Sequence, residues 1–187
     1  MTNTPEAWSE RAAAHENPWD AVGWSRNSQT KRFRAVLQHL DLRHDDTLLD
    51  FGCGTGEFAP WVEDSAFPVR YFGWDWAPGM VERARREHPH ASFLDGWAYA
   101  YEFDHIVAIG VFNLHHNWSQ LQTAETIDRL WRVTRRTLVV SLYRGDDEQC
   151  IHYTPSFLGG LVERSRPARF VIDASHLDND VILRMSR

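Results

Sequence analysis

The chain of 187 residues is poor in cysteine, and its two thiols, Cys53 and Cys150, lie far apart in the sequence. Two cysteines are too few for a disulfide-built fold and lack the close spacing of a zinc knuckle. No apolar run approaches the ~20 residues that cross a bilayer. The first residues also lack the basic start and apolar centre of a signal peptide. These absences predict a cytoplasmic protein with no membrane partner.

Basic residues are fewer than acidic ones: the chain has 20 Lys and Arg and 26 Asp and Glu, which gives a formal charge of −6. An acidic surface repels phosphate backbones, which predicts no nucleic-acid partner, although a local basic groove stays open. Hydrophobic residues make up 43% and charged residues 25%, which is typical of a folded domain. Nine tryptophans are unusual, and an aromatic face of this kind attracts cations.

Strand-like and helix-like patterns alternate along the chain. Strands are predicted at Thr47–Phe51, Val69–Asp75, Ala91–Leu94, Phe103–Val111, Thr137–Leu142, Phe170–Ala174 and Val181–Met185. Helices are predicted from Asn27 or Ser28 to Asp41, at Glu57–Asp64, from Pro78, and at Ser119–Thr134 and Pro155–Arg164, the last weakened or bent by two glycines. The alternation predicts a three-layer α/β sandwich around a mostly parallel sheet. The short loop between the last two strands makes them antiparallel.

No linker or repeat divides the sequence, so residues 1–187 are expected to form a single domain. Residues 1–26 are polar and rich in alanine, with scattered tryptophans. We interpret them as an N-terminal lid or extension, and residues 27–187 as the core.

A glycine-rich segment, LLDFGCGTG at residues 48–56, lies where the first strand meets the next helix. Its glycines let a ligand approach the backbone, and the helix N-terminus adds free amides. The spacing is Gly-x-Gly-x-Gly, whereas a pyrophosphate cradle favours Gly-x-Gly-x-x-Gly. Asp50 would repel a pyrophosphate but can serve a cationic amino group, directly or through water. Asp75, at the second strand end, can accept both hydroxyls of a ribose. The pattern indicates a nucleoside with a positive tail and no phosphates.

These segments, together with FGWDWAPGMVERAR at 72–85 and FLDGWA at 93–98, resemble the class I S-adenosylmethionine-dependent methyltransferase family over roughly residues 25–187. The resemblance implies a Rossmann-like sheet of seven strands with the last one antiparallel, and S-adenosylmethionine as the cofactor. It implies that Asp50 faces the amino group of the cofactor, that Asp75 holds its ribose and that Asp95 contacts its adenine. The remaining cofactor-binding residues that it implies are Gly52, Cys53, Gly54, Gly56, Trp76, Met80, Gly96, Trp97, Gly110 and Val111.

The segment after the fourth strand reads VFNLHH, and its histidine pair is a natural source of a general base. His115 is the first choice because it lies closer to the strand end, and His116 is the second. Neither the histidines of the chain nor the acidic run at 146–148 has convincing metal-ligand spacing, so no metal is predicted. Further residues expected to contact the acceptor are Trp19, Trp24, Asn113, Tyr143, His152 and Tyr153.

The family members that methylate exocyclic amines of bases carry an Asn/Asp-Pro-Pro-aromatic run after the fourth strand, and this chain lacks it there. Together with the acidic charge, this favours methyl transfer to an oxygen, nitrogen or carbon of a small molecule. Three alternatives stay open: a tRNA-base or protein methyltransferase, another reaction of the same cofactor, and a non-catalytic partner subunit. The oligomeric state is left as monomer or homodimer.

Overall fold

One sheet of seven strands organises the computed structural model, which describes residues 4–187. Its strands are β1 (Thr47–Phe51), β2 (Arg70–Trp74), β3 (Ser92–Phe93), β4 (Phe103–Ile109), β5 (Thr134–Tyr143), β6 (Arg169–Asp173) and β7 (Asp180–Ser186). They lie side by side in the order β3-β2-β1-β4-β5-β7-β6. Only β7 runs against its neighbours β5 and β6. The predicted mostly parallel sheet with a reversed last strand is therefore confirmed.

Helices cover both faces of this sheet. They are α1 (Pro5–Ala14), α2 (Pro18–Ala21), α3 (Arg26–Gln38), α4 (Ala59–Glu63), α5 (Pro78–Glu87), α6 (Gln120–Arg132) and α7 (Pro155–Ser165). Side chains of successive strand residues point to opposite faces, so the strands feed two cores. The larger core joins one face to α6 and α7, and the smaller one joins the other face to α3 and α4. Among residues 4–187, no helix has the length and apolarity needed to traverse a bilayer.

Several predicted boundaries were shifted, and local hydrogen bonds explain the shifts. Ser25, rather than Asn27 or Ser28, caps α3, since its Oγ accepts the N–H of Ser28 at 3.2 Å. β5 starts three residues earlier than predicted because Thr134 already pairs with Phe103 on β4. The two glycines of α7 do not interrupt this helix, which runs through both positions to Ser165.

The segment predicted as a lid or extension contains two helices that dock on the core. Arg83 of α5 donates to three carbonyls at the end of α1 and beyond it, those of Ala12, His15 and Glu16, at 2.6–2.9 Å. Arg11 likewise donates to the carbonyl oxygens of Asp20 and Ala21. These bonds fix the path of the segment across α5.

A buried ion pair joins α3 to the start of β7. Arg32, with 5% of its surface exposed, donates to the fully buried carboxylate of Asp180. The Ser141 hydroxyl of β5 also donates to Asp180 at 3.0 Å, and the guanidinium of Arg32 lies 4.9 Å from the ring centre of Trp24. The pair thus ties β7, which lies inside the sheet, to the helix that covers it.

Replacing Asp180 with asparagine should destabilise the fold, because the buried guanidinium of Arg32 would lose its counter-charge. The expected loss in the free energy of unfolding is about 3 kcal/mol. Urea denaturation of the variant against wild type measures it. Asp178→Asn, which changes an exposed carboxylate two residues away, is the matched control and should unfold as wild type does. Equal stability of the two variants would contradict the assignment.

Candidate active site

A cavity of about 1170 Å³ opens at the carboxyl ends of β1, β2, β4 and β5. Ligands of open α/β sheets bind at this edge, where the strand order changes direction next to β1. The cavity is larger than the roughly 300–1,000 Å³ of a typical ligand pocket. Predicted site residues that line it are Trp24, Asp50, Gly52, Cys53, Gly54, Asp75, Trp76, Met80, Trp97, Gly110, Val111, Asn113, His116 and Tyr143.

The glycine-rich turn forms a floor of bare backbone at one side of the cavity. Gly52 and Gly54 both have positive φ, at 76° and 54°, which side chains disfavour. A Cβ on Gly52 would lie 2.4 Å from Cγ2 of Val111, so only glycine fits beneath that side chain. Gly56 also has a positive φ, but it packs against His88 and Phe93, outside the cavity lining.

Asp75 clamps this turn from the end of β2. Its carboxylate accepts the N–H of Gly54 and the N–H of Ala77, both at 2.9 Å. Burial raises the pKa of Asp75, while these backbone hydrogen bonds oppose the rise. Each carboxylate oxygen still has a lone pair free, so the group can accept hydrogen bonds from a ligand at the cavity wall.

Asp50 is a second carboxylate at the same wall, with 3% of its surface exposed. It accepts one hydrogen bond, from the Tyr71 hydroxyl at 2.8 Å. Burial raises the pKa of Asp50 to about 7, and the nearby Asp75 charge adds to this against the effect of the Tyr71 bond. A buried carboxyl with so high a pKa favours a cationic or hydrogen-donating neighbour. The two groups therefore fit the amino group and hydroxyls of a nucleoside cofactor.

Aromatic rings form another part of the wall. Trp97 stacks on Trp74 with ring centres 5.8 Å apart, and Tyr99 stacks on Trp97 at 6.4 Å. Trp97 and Trp76 remain 70% and 43% exposed, respectively. The exposed faces of these aromatic side chains, beside the cavity, provide a surface on which the planar ring of a ligand can stack.

The segment after β4 brings the expected reaction centre together. Trp24 covers Gly110 so closely that a Cβ there would lie 2.4 Å from the indole ring. Asn113 accepts the backbone N–H of Tyr143 at 2.9 Å through its amide oxygen. That bond turns the Asn113 amide nitrogen toward Gly110, and a Cβ on that glycine would lie 3.4 Å from it. His116 lines the same region.

Other predicted residues lie outside the cavity lining. Asp95 is 88% exposed and pairs with Arg85 at 2.5 Å, and Gly96 follows it. His115 is exposed. His152 is also exposed, with its Nδ1 3.1 Å from the carbonyl of Gly145.

Two further residues that were predicted to contact the acceptor interact with other parts of the protein. Tyr153 is 1% exposed, and its hydroxyl donates to the carbonyl of Phe112 at 2.7 Å while contacting the Thr123 hydroxyl. Trp19 lies outside the cavity lining, and the guanidinium of Arg26 lies over its indole ring, 5.5 Å from the ring centre.

The cavity also contains residues that were not predicted. Gln29 and Arg32 line it, although they share the buried stripe of α3 with Phe33 and Val36. Polar residues at core positions of an amphipathic helix are a signal that could have identified them. Trp8 and Arg11 of α1 extend the lining at helical spacing.

Within residues 4–187, one group brings three potential metal ligands within 4.8 Å of one another: Glu57, Glu87 and His88. Each already has a partner, because Arg83 donates to Glu87 at 2.8 Å and His88 lies 3.1 Å from Glu57. The cluster does not include the histidines after β4.

Comparisons with known proteins agree with this geometry. The family described as "Methyltransferase domain" matches residues 48–137. Magnesium protoporphyrin IX methyltransferase from Synechocystis PCC 6803, solved with bound S-adenosylmethionine, is 16% identical with a TM-score of 0.68, and the match covers 100% of this chain and 92% of that one. N-methyltransferase NodS from Bradyrhizobium japonicum WM9, solved with S-adenosylhomocysteine, is 18% identical with a TM-score of 0.71, covering 99% of both chains.

A TehB-like methyltransferase from Corynebacterium glutamicum is 16% identical with a TM-score of 0.64, covering 97% of this chain and 99% of that one. At such identities the structural similarity establishes the fold. No curated protein sequence matches the chain significantly. The family match rests on the segment that forms β1 through the start of β5, where the glycine-rich turn, both carboxylates and the segment after β4 lie. The chain therefore carries a class I S-adenosylmethionine-dependent methyltransferase domain, with S-adenosylmethionine as its cofactor.

Proposed function

We propose that the cavity holds S-adenosylmethionine against the glycine-rich turn and presents it to a small-molecule acceptor. One observation carries the cofactor part: Asp50 and Asp75 converge on a floor of backbone that no side chain could share. Asp50 binds the amino group of the cofactor, and Asp75 accepts its ribose hydroxyls. Trp76, Met80 and Trp97 pack on the adenine.

Bound S-adenosylmethionine supplies a methyl group activated by its positively charged sulfur. The chain contributes by positioning the acceptor and excluding water. Trp24 covers Gly110, so its indole ring lies at the region where the positive charge is expected. Residues 4–26 act as a roof over this half of the cavity, since Trp8 and Arg11 belong to its lining.

Asn113 selects the acceptor. Because its amide oxygen is held by the N–H of Tyr143, its amide nitrogen is the atom left to donate to a ligand. This fixed donor favours an acceptor with an oxygen or unprotonated nitrogen beside the atom to be methylated. His116, which lines the same cavity, accepts the proton of that atom as a general base.

A small molecule is the acceptor that the observations support best. The cavity has room for a second ligand beside a nucleoside, and the formal charge of −6 disfavours a nucleic acid. The relative from Synechocystis is named for a small-molecule acceptor, magnesium protoporphyrin IX. An acceptor screen followed by mass spectrometry tests this proposal, and methylation only of protein or RNA would contradict it.

The ribose assignment predicts that Asp75→Asn weakens S-adenosylmethionine binding about a hundredfold, through lost charged hydrogen bonds. Isothermal titration calorimetry measures the affinity. Asp64→Asn changes an exposed carboxylate at the end of α4 and should bind as wild type does. Wild-type affinity in Asp75→Asn would refute the ribose contact.

The pKa of about 7 at Asp50 predicts that cofactor affinity depends on pH. Below this value the carboxyl carries a proton and offers no charge to the amino group. Raising the pH from 6 to 7 should therefore tighten binding by about fivefold, as the ionised fraction grows. Asp50→Asn should bind weakly and equally at both values. A wild-type affinity that stays constant over this range would show that Asp50 does not face the amino group.

The adjacent histidines provide a matched pair for testing the base. His116→Ala should lower turnover on the identified acceptor about a hundredfold while cofactor affinity stays the same. His115→Ala removes an imidazole outside the cavity lining and should keep turnover near that of wild type. Steady-state kinetics across pH 6 to 9 compares them. Equal losses in the two variants, or none in either, would remove His116 from the base role.

A further inference from the structure

The strand β6 forms one edge of the sheet and pairs only with β7. In an antiparallel pair of strands, every second residue forms backbone hydrogen bonds with the neighbouring strand. The residues between them direct their N–H and C=O groups to the opposite side of the strand. For residues 4–187, no backbone hydrogen bond outside the sheet reaches β6. Its outer edge therefore offers unpaired backbone groups to another strand.

The side chains of β6 are unusually apolar for such an edge. Phe170, Val171 and Ile172 are 53%, 40% and 44% exposed, so apolar surface is open on both faces of the strand. Natural edge strands are usually protected by charges, proline or a covering element. The middle of β6 has none of these, which indicates that something covers it in solution.

The sequence of β6, RFVID at residues 169–173, is complementary to itself. When two copies run antiparallel with Val171 opposite Val171, Arg169 of each lies opposite Asp173 of the other. Phe170 then lies opposite Ile172. Directly opposite residues share one face of a sheet, so this register gives two ion pairs and three apolar pairs.

The charges at the two ends are available for this pairing. Arg169 is exposed, and the side chain of Asp173 is 28% exposed. Hydrogen bonds from Ser175, with further help from His39, lower the pKa of Asp173 to about 2, so the carboxylate is ionised at neutral pH. The carboxylate of Asp173, which already contacts Ser175 and His39, keeps a free lone pair for the arginine of a second copy.

We propose that the chain forms a two-fold symmetric dimer in which β6 pairs antiparallel with β6 of a second copy, centred on Val171. The two sheets join into one continuous sheet across the axis. No β6 residue lines the cavity, so both active sites stay open. The self-complementary charges select a second copy rather than an unrelated strand.

Analytical ultracentrifugation of the full chain tests the proposal. Wild type should sediment at twice the 21.8 kDa of one chain. Val171→Lys places two like charges at the axis and should weaken dimerisation on the order of tenfold or more. Leu121→Lys, which alters an equally apolar and 65% exposed residue on α6, is the matched control and should remain dimeric. A monomeric wild type, or a dimer that Val171→Lys leaves intact, would overturn the proposal.

A charge exchange keeps the test decisive if Val171→Lys folds poorly. Arg169→Asp alone and Asp173→Arg alone each bring like charges together and should be monomeric. Mixed in equal amounts they should form a heterodimer, because both cross-strand pairs become attractive again. Thermal melting followed by circular dichroism verifies that each variant is folded. Failure of folded variants to associate on mixing would also overturn the proposal.

Discussion

The carboxylate of Asp75 holds the rest of the site in place. By accepting N–H groups from Gly54 and Ala77, it joins the turn after β1 to the loop after β2, so both strand ends move as one unit. This link holds the Gly54 end of the turn, and the carbonyl of Trp74 accepts the N–H of Gly52 at 2.7 Å at the other end. A ligand that also binds Asp75 would contact a group already fixed by the fold, which reduces the entropy lost on binding.

The active site concentrates negative charge where the protein offers little compensation. Burial, with a smaller contribution from the charge of Asp75, raises the pKa of Asp50 against the opposing hydrogen bond from Tyr71, so a charged Asp50 is unfavourable in the free protein. A cation relieves this repulsion on binding, whereas a phosphate would increase it. In the function proposed above, the same two carboxylates would favour S-adenosylmethionine and disfavour nucleoside phosphates.

The fold and the place of the glycine-rich turn beside two carboxylates could be predicted because their signals are local in sequence. Asp50 and the glycines lie within nine residues, and Asp75 marks the end of the next strand. The positions of other predicted residues, on both the cofactor and the acceptor side, depend on distant neighbours. Tyr153 is buried because Phe112 and Thr123 satisfy its hydroxyl, and Asp95 is drawn to Arg85 on α5. Which of two adjacent histidines lines a cavity depends on the loop path, which hydrophobic periodicity does not encode.

The position of β7 has a consequence for biosynthesis. This strand follows every other strand along the chain, yet it lies between β5 and β6 and supplies the Asp180 partner of Arg32. Until β7 has left the ribosome, β5 lacks its neighbour on the side away from β4, and β6 has no neighbour at all. Both cores can close only after residues 180–186 leave the exit tunnel, so the nascent chain exposes apolar strand edges until synthesis passes this point. Chaperones that bind unpaired strands would find their substrate in that interval.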